Sequence, residues 1–253
     1  MKILVAIPAY NCENQISRVL AGFDNNLINR VEKVIVIDNG STDGTVKVAK
    51  KAASELGNKV EVWQNKNNYN LGGTHKVAFL TGEKMDVDYV AILHGDDQAK
   101  TSELNRLIDE AENNPSIGAV LGTRFMKGSK LVGYDWKRIW GNRGINWLYS
   151  TVALRPSYDL GSGLNLFRLK DLDDHNYLGF EDTITFNIDL LLDYFKKKTK
   201  LKFVPITWTE EDQVSNARNF QVGKTAVRKL LLWRINKERH HKMPVSHYQS
   251  GKV

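Results

Sequence analysis

The chain has 253 residues, 42% hydrophobic and 26% charged, a balance that excludes wholesale disorder and suits one or two globular domains. The single cysteine, Cys12, excludes an intramolecular disulfide framework and a zinc site built on several thiolates. The net charge of +7 is uneven: residues 217–253 hold nine Lys or Arg against the one acid Glu238, and residues 1–216 hold 27 against 28, so a neutral body carries a basic tail.

In chain order, residues 2–7 (KILVAI) form a compact apolar run expected of a strand buried on both faces. Ile16, Val19, Leu20 and Phe23 then recur at helical spacing, and residues 33–37 (KVIVI) predict a second buried strand. A helix is expected over 45–56, a short strand over 60–63, a helix over 74–84 and a strand over 89–93 (YVAIL). Ser102 is expected to cap a helix through Leu104, Leu107, Ile108 and Ala111, and residues 118–121 form the next strand. The second half is less regular, with aromatic and basic residues mixed over 136–147 and a turn-rich 159–163. A helix over 183–195, a strand over 202–206 and a helix over 222–236 close the pattern. Residues 1–9 are too short an apolar start, and too soon broken by Pro8, for a signal peptide, and no apolar run reaches the ~18 residues of a membrane span. The expectation is a soluble, cytoplasmic chain.

Strands separated by helices imply βαβ units, a mainly parallel sheet, and ligand binding at the carboxyl ends of the strands. Three polar loops fall there: 8–11 (PAYN), 38–41 (DNGS) and 94–98 (HGDDQ). In the second loop, Asp38 could accept hydrogen bonds from a base or ribose, or the loop could be a plain turn with Ser41 or Asp43 capping the next helix. The GxGxxG spacing of dinucleotide folds is absent. In the third loop, Asp96 and Asp97 directly after an apolar strand suit a hard divalent cation that completes its shell with phosphates and water. The other reading is an acid-rich helix start.

Taken in order, 8–11 (PAYN), 38–45 (DNGSTDGT), 70–73 (NLGG), 94–98 (HGDDQ) and 122–125 (GTRF) resemble the motifs of family 2 glycosyltransferases, closest to the polyprenyl-phosphate (dolichol-phosphate) sugar transferase branch. The resemblance covers roughly residues 3–216. It implies an α/β GT-A fold: a Rossmann-like, mainly parallel sheet flanked by helices, in one domain over 1–216. Residues 1–125 would bind the nucleotide sugar and 126–216 would form an acceptor-side extension, followed by a basic C-terminal helix and tail over 217–253. It also implies a nucleotide-diphosphate sugar donor, a divalent cation (Mg2+ or Mn2+) and inversion at the anomeric carbon.

Carried over by position, Pro8, Tyr10, Asn11, Glu13, Asp38, Asn70, Gly72, Asp96 and Gln98 would border the donor, and Asp96, His94 and Gln98 would face the metal. His94 stands where the family usually has the first acid of an Asp-x-Asp. Arg124 and Arg138 match positions where arginines face phosphates, which guanidinium forks bind bidentately; either could instead pair with a surface acid. Asp159 lies in a stretch (DLGSGLN) that resembles the family's Asp-x-x-Ser-Gly-Phe-Arg, with Asn165 where arginine is usual. Asp182, with Glu181, resembles the Glu-Asp pair of members that use hydroxyl acceptors, and either residue could simply start the next helix. Where the polyprenyl-phosphate branch presents arginine, this chain has the acidic run Glu210, Glu211 and Asp212 before Gln213 and Arg218. Acids there would repel a lipid phosphate unless they hold a cation or pair with arginines.

The expected acceptor is a polyprenyl phosphate or a cell-envelope glycan. The alternatives are a hydroxyl acceptor of polysaccharide assembly, nucleotidyl transfer to a sugar phosphate, and a non-catalytic nucleotide-sugar-binding or nucleic-acid-binding module. Nucleic acid is disfavoured because the excess charge sits in the tail rather than over a coherent surface. The tail instead suits peripheral contact with the anionic inner face of the cell membrane through residues 222–242; a helix packed on the catalytic domain is the competing reading.

Overall fold

The apolar run after Lys2 becomes β1 (Ile3–Ala9), buried along its whole length. The computed structural model describes residues 1–212, 219–238, 240 and 242–253. The expected boundary at 216/217, and with it Gln213, Ser215, Asn216 and Arg218, lies outside the described residues. After β1 come α1 (Ile16–Ala21) and α2 (Asn25–Arg30), the latter capped by the Asp24 carboxylate accepting the Leu27 N–H. Then follow β2 (Lys33–Asp38), α3 (Thr45–Glu55) and β3 (Val60–Asn65).

Helix α4 (Asn70–Lys84) starts four residues before the expected 74, because the Gly72–Gly73 pair is helical. Glycine is a poor helix former, but packing overrides propensity here. A Cβ on Gly72 would lie 2.7 Å from the Glu181 carbonyl oxygen and from the Phe186 side chain.

Next come β4 (Tyr89–Leu93), α5 (Leu104–Asn113) and β5 (Ala119–Thr123). Ser102 does not cap α5. A 3-10 turn, Thr101–Glu103, leads into that helix, and the Glu103 carboxylate accepts from the Thr207 N–H (2.7 Å) and hydroxyl (3.0 Å). In the second half, β6 (Lys130–Val132) precedes α6 (Trp136–Ala153), an 18-residue helix capped by Asp135, in the stretch the sequence pattern left without an element. Strand β7 (Leu164–Arg168) was also not expected. The chain closes with α7 (Phe186–Lys197), β8 (Leu201–Pro205), β9 (Thr207–Thr209), α8 (Asn219–Arg234) and β10 (Ser250–Lys252).

One sheet of eight strands runs β10-β3-β2-β1-β4-β7-β5-β8, with β6 and β9 in a separate parallel pair. Strands β3, β2, β1 and β4 are mutually parallel, so their carboxyl ends form one rim. Strand β7 runs antiparallel between β4 and β5, and β10 runs antiparallel along the β3 edge. Apolar layers cover both faces: residues of α1, α3 and α5 on one side, residues of α4 and α7 on the other, and a third cluster binds α6, α7 and α8 together.

The β10 edge is held by charge as well as by backbone bonds. Glu61 on β3 meets Lys33 (2.7 Å) and Lys252 (3.0 Å) and accepts the Trp63 indole N–H (2.9 Å). Burial opposes its ionisation, but these partners win and hold its pKa down to about 2. A depressed carboxylate adds stability that is present above its unfolded pKa and lost as pH falls through the folded value. The stability of the wild type should therefore decline between about pH 4.5 and pH 2. Glu61→Gln should show a shallower acid decline in urea-melt midpoints; parallel declines would remove Glu61 from that account.

Candidate functional site

The rim loops are stitched to one another before any ligand is considered. The Asn11 N–H donates to the Ser41 hydroxyl (2.9 Å), and the Asn11 side-chain oxygen accepts the Thr42 N–H (2.9 Å). The Glu13 carboxylate accepts the Gly44 N–H (2.6 Å), and a Cβ on Gly44 would lie 2.5 Å from that same oxygen. Neither Ser41 nor Asp43 caps α3: Gly44 occupies the cap position, while Asp43 accepts from the N–H and hydroxyl of Thr45. Pro8 lies in β1, and its carbonyl accepts the Gly95 N–H (2.9 Å); Tyr10 is exposed beside it. Cys12 is buried and fills space under the loop.

Asp38 is fully buried at the end of β2 and accepts from the N–H groups of Gly40 (3.1 Å) and Ser41 (3.2 Å) and from the Gln64 amide (3.0 Å). In this arrangement it shapes the loop; the groups around it at the surface are Gly40, Gln64 and Asn68, which line an open cleft with Gly251–Val253. Asn70 has a left-handed backbone (φ 56°) and begins α4, and Gly72 donates its N–H to the Asp182 carbonyl (2.7 Å).

At the end of β4, the His94 N–H bonds the Gly163 carbonyl (2.8 Å), and Asp96 accepts the Gln98 N–H (3.2 Å). Burial raises the Asp96 pKa, with His94 and the Gln98 N–H pulling the other way; burial lowers that of His94. The His94 ring faces His75 on α4, with centroids 5.7 Å apart, and its Nε2 is buried without a hydrogen-bond partner among the described residues. His75 is fully buried, and burial keeps it neutral against the opposing pull of the Asn187 side chain. Asp97 pairs with Arg18 (2.6 Å), which also holds Asp212 (2.9 Å) below the usual carboxylate range.

Among the described residues, no three His, Cys, Asp or Glu side chains gather into a metal cage. What the loop offers a cation is the desolvated Asp96 carboxylate, a hard oxygen donor that forms no ion pair with Lys or Arg among the described residues. That fits Mg2+ or Mn2+, which take one or two carboxylates and complete their shells with phosphate and water. The Nε2 of His94 is buried, and Gln98 is placed by the Asp96 turn and by its carbonyl accepting the Thr209 N–H (2.9 Å).

A second cluster lies where β5, α6 and β9 meet. The Arg124 guanidinium binds Asp159 through two N–H groups (2.9 and 2.8 Å), donates to the Gly161 carbonyl, and stacks over Trp208 at 4.8 Å. Arg138 grips Glu210 in the same forked way (2.6 and 3.1 Å) and lies over the Tyr134 ring at 4.2 Å. The acidic run that looked repulsive is thus paired with arginines: Glu210 with Arg138, and Asp212 with Arg18.

Asp182 stands apart from this cluster. It meets the buried Lys76 ammonium (2.7 Å) and accepts from the Tyr248 hydroxyl (2.9 Å). Lys76, 1% exposed, also donates to the Phe180 carbonyl (2.6 Å). Neither Asp182 nor Glu181 caps α7, which starts at Phe186; Glu181 pairs with Lys229 (3.2 Å). The lysine inside an apolar helix run was a signal that sequence reasoning passed over, whereas Tyr248 carries none.

A family model described as Glycosyl transferase family 2 matches residues 4–175. The chain belongs to that family. Its family 2 relatives include a polyprenol monophosphomannose synthase of Mycolicibacterium smegmatis, 25% identical over 213 residues (83% of this chain, 78% of that protein). Another is a UDP-N-acetylglucosamine–dolichyl-phosphate N-acetylglucosaminyltransferase of Methanococcus voltae, 25% identical over 251 residues (93% and 97%). Among solved structures, glucosyl-3-phosphoglycerate synthase from Mycobacterium tuberculosis, in complex with Mn2+, UDP-glucose and glycerol 3-phosphate, superposes with a TM-score of 0.67. That match has 17% identity and covers 96% of this chain and 87% of the other. The fold of this family 2 enzyme is therefore GT-A, as expected, with a mainly parallel sheet.

The Lys76–Asp182 pair locks the start of α4 to the 178–182 segment and to the C-terminal Tyr248. Lys76→Met should cost about 3 kcal/mol in chemical denaturation, since it strands a carboxylate and two carbonyls. A loss below about 1 kcal/mol, the scale of a surface pair, would contradict that role.

Proposed function

We propose that this glycosyltransferase moves a sugar from a nucleoside-diphosphate sugar to a polyprenyl phosphate, with inversion at the anomeric carbon and with a divalent cation at Asp96. The observation that carries the choice of acceptor is the state of Asp182. A hydroxyl acceptor needs a carboxylate free to take its proton, and this one is already bound by Lys76 and Tyr248. A phosphate acceptor is ionised at neutral pH and needs no such base. The similarity to two polyprenyl- and dolichyl-phosphate sugar transferases supports the same reading.

In this reading a phosphate oxygen of the acceptor attacks the anomeric carbon, and the bond to the donor diphosphate breaks with its electron pair leaving on the diphosphate. A cation bound by Asp96 would neutralise charge on that leaving group. The stitched loops at Asn11, Glu13 and Asp38 hold the rim in shape for the nucleotide, and the exposed Tyr10 offers it a flat face. Arg138 is only partly buried, so exchanging Glu210 for a phosphate is a side-chain rearrangement within reach of its guanidinium fork. Arg124, clamped by the buried Asp159, acts as fixed positive charge behind it. The reaction would take place at the inner face of the cell membrane, with the cations of residues 222–242 turned toward anionic lipid; Arg239 and His241 in that span lie outside the described residues.

Asp96→Ala should abolish sugar transfer, reducing it at least ~1000-fold, and should remove the Mn2+-dependent thermal stabilisation by UDP-, GDP- or dTDP-linked compounds. Transfer at an undiminished rate would discard Asp96 as the cation site. Mass spectrometry of products from polyprenyl-phosphate and oligosaccharide acceptors tests the acceptor: product on the oligosaccharide alone would overturn the phosphate reading.

A further inference from the structure

Helix α6 presents an unusual outer face. Trp136, Trp140 and Trp147 are 64%, 65% and 70% exposed, and Leu154, just past its end, is 86% exposed. Their spacing of four, seven and seven residues sets all four on one stripe of a helix. Large apolar side chains exposed in a row mark an interaction surface rather than a solvated face. At Gly141 and Gly144, farther round the helix, a Cβ would meet no atom of the described residues within 4 Å. The opposite side of α6 is committed to the protein: the Tyr149 hydroxyl donates to the Ala226 carbonyl of α8 (2.7 Å), and Asn146 donates to the Tyr158 carbonyl (2.7 Å).

Charge selects the partner. Neither α6 nor α8 contains an Asp or Glu; the exposed cations are Lys137 and Arg143 on α6 and Lys224, Arg228 and Arg234 on α8, while Arg138 and Lys229 are held by Glu210 and Asp189. Lys137 lies over the Trp136 ring (5.8 Å) and Arg143 over Trp140 (5.7 Å). An apolar face of α8 is used internally: Ala226 and Leu230 are buried, and the Trp233 indole donates to the Leu192 carbonyl (2.9 Å). That leaves Leu231 and Ile235, each 57% exposed, among exposed cations of α8. Tryptophan with lysine and arginine is the composition that settles at a bilayer interface, the rings among the headgroups and the cations on anionic lipid. No helix among the described residues is long and apolar enough to cross a membrane, so the contact is parallel to its surface.

We infer that the Trp136–Trp140–Trp147 stripe of α6 is a membrane-docking face for anionic bilayers, supported by the cations of α8. The proposal deepens the polyprenyl-phosphate reading, and rests on it for its purpose. Helix α6 also carries Arg138, two residues before Trp140 and therefore on its inner side, so docking brings the arginine cluster to within a helix diameter of the layer from which a lipid-linked phosphate would come.

The test is co-sedimentation of the full chain with phosphatidylglycerol-containing vesicles and with pure phosphatidylcholine vesicles. The unmodified chain should bind the anionic vesicles preferentially, and brominated lipid should quench its tryptophan fluorescence. Combining Trp136→Ser, Trp140→Ser and Trp147→Ser should weaken that binding at least ~10-fold while leaving transfer to a short-chain, water-soluble polyprenyl phosphate intact. Equal vesicle binding by the two proteins, or no binding and no quenching with the unmodified chain, would overturn the docking face. Transfer to the short-chain acceptor without vesicle binding would overturn docking and spare the acceptor reading; vesicle binding without transfer to any polyprenyl phosphate would do the reverse.

Discussion

The arrangement of the site depends on one strand running against its neighbours. Because β7 enters antiparallel between β4 and β5, the loop before it arrives at the same end of the sheet as the loop after β4. The Gly163 carbonyl then holds the His94 N–H, and Asp159 reaches Arg124. The insertion tolerates no side chain at two points. A Cβ on Gly122 would lie 2.5 Å from the Leu164 carbonyl oxygen, and one on Gly163 would lie 2.9 Å from the His94 ring. The first contact is with the backbone of a neighbouring strand and cannot relax without separating the strands, whereas the second would push the His94 side chain.

Charge compensation is the second organising feature. Each rim arginine has a carboxylate at hydrogen-bond distance: Arg18 with Asp97 and Asp212, Arg124 with Asp159, and Arg138 with Glu210. Unpaired, three guanidinium groups at one end of a sheet would repel one another and lose hydration as the site closed. Paired, they are held in place, and the pairs differ in how readily they could open. Asp159 is buried with Arg124, whereas the Arg18 pairs are exposed and therefore weak. Glu210 and Asp212 of the acidic run are thus part of the arginine arrangement.

The first half of the chain was legible because its strands are buried on both faces. Such strands appear as apolar runs, and 2–7, 33–37 and 89–93 became β1, β2 and β4 with boundary shifts of at most two residues. The second half hid its elements for physical reasons. Helix α6 turns three tryptophans outward, so its hydrophobic period does not mark its buried side. Strand β7 is five residues after a glycine-rich turn, and β10 is Ser-Gly-Lys, whose strand state comes only from the open β3 edge beside it. The start of α4 was missed because two glycines argue locally against a helix that the packing of Phe186 and the 181–182 backbone requires.

The residues by themselves determined the βα order, the common rim of polar loops and the family, because burial on two faces and the spacing of turns are local properties of the chain. Which charges face which was decided only by the tertiary structure. Asp182 became the partner of Lys76, Glu210 that of Arg138, and the apolar side of the tail helix became core while the tryptophans of α6 were left outside. Ion pairing and burial between segments as far as 194 residues apart, as for Arg18 and Asp212, depend on how the layers stack, and no local pattern encodes that.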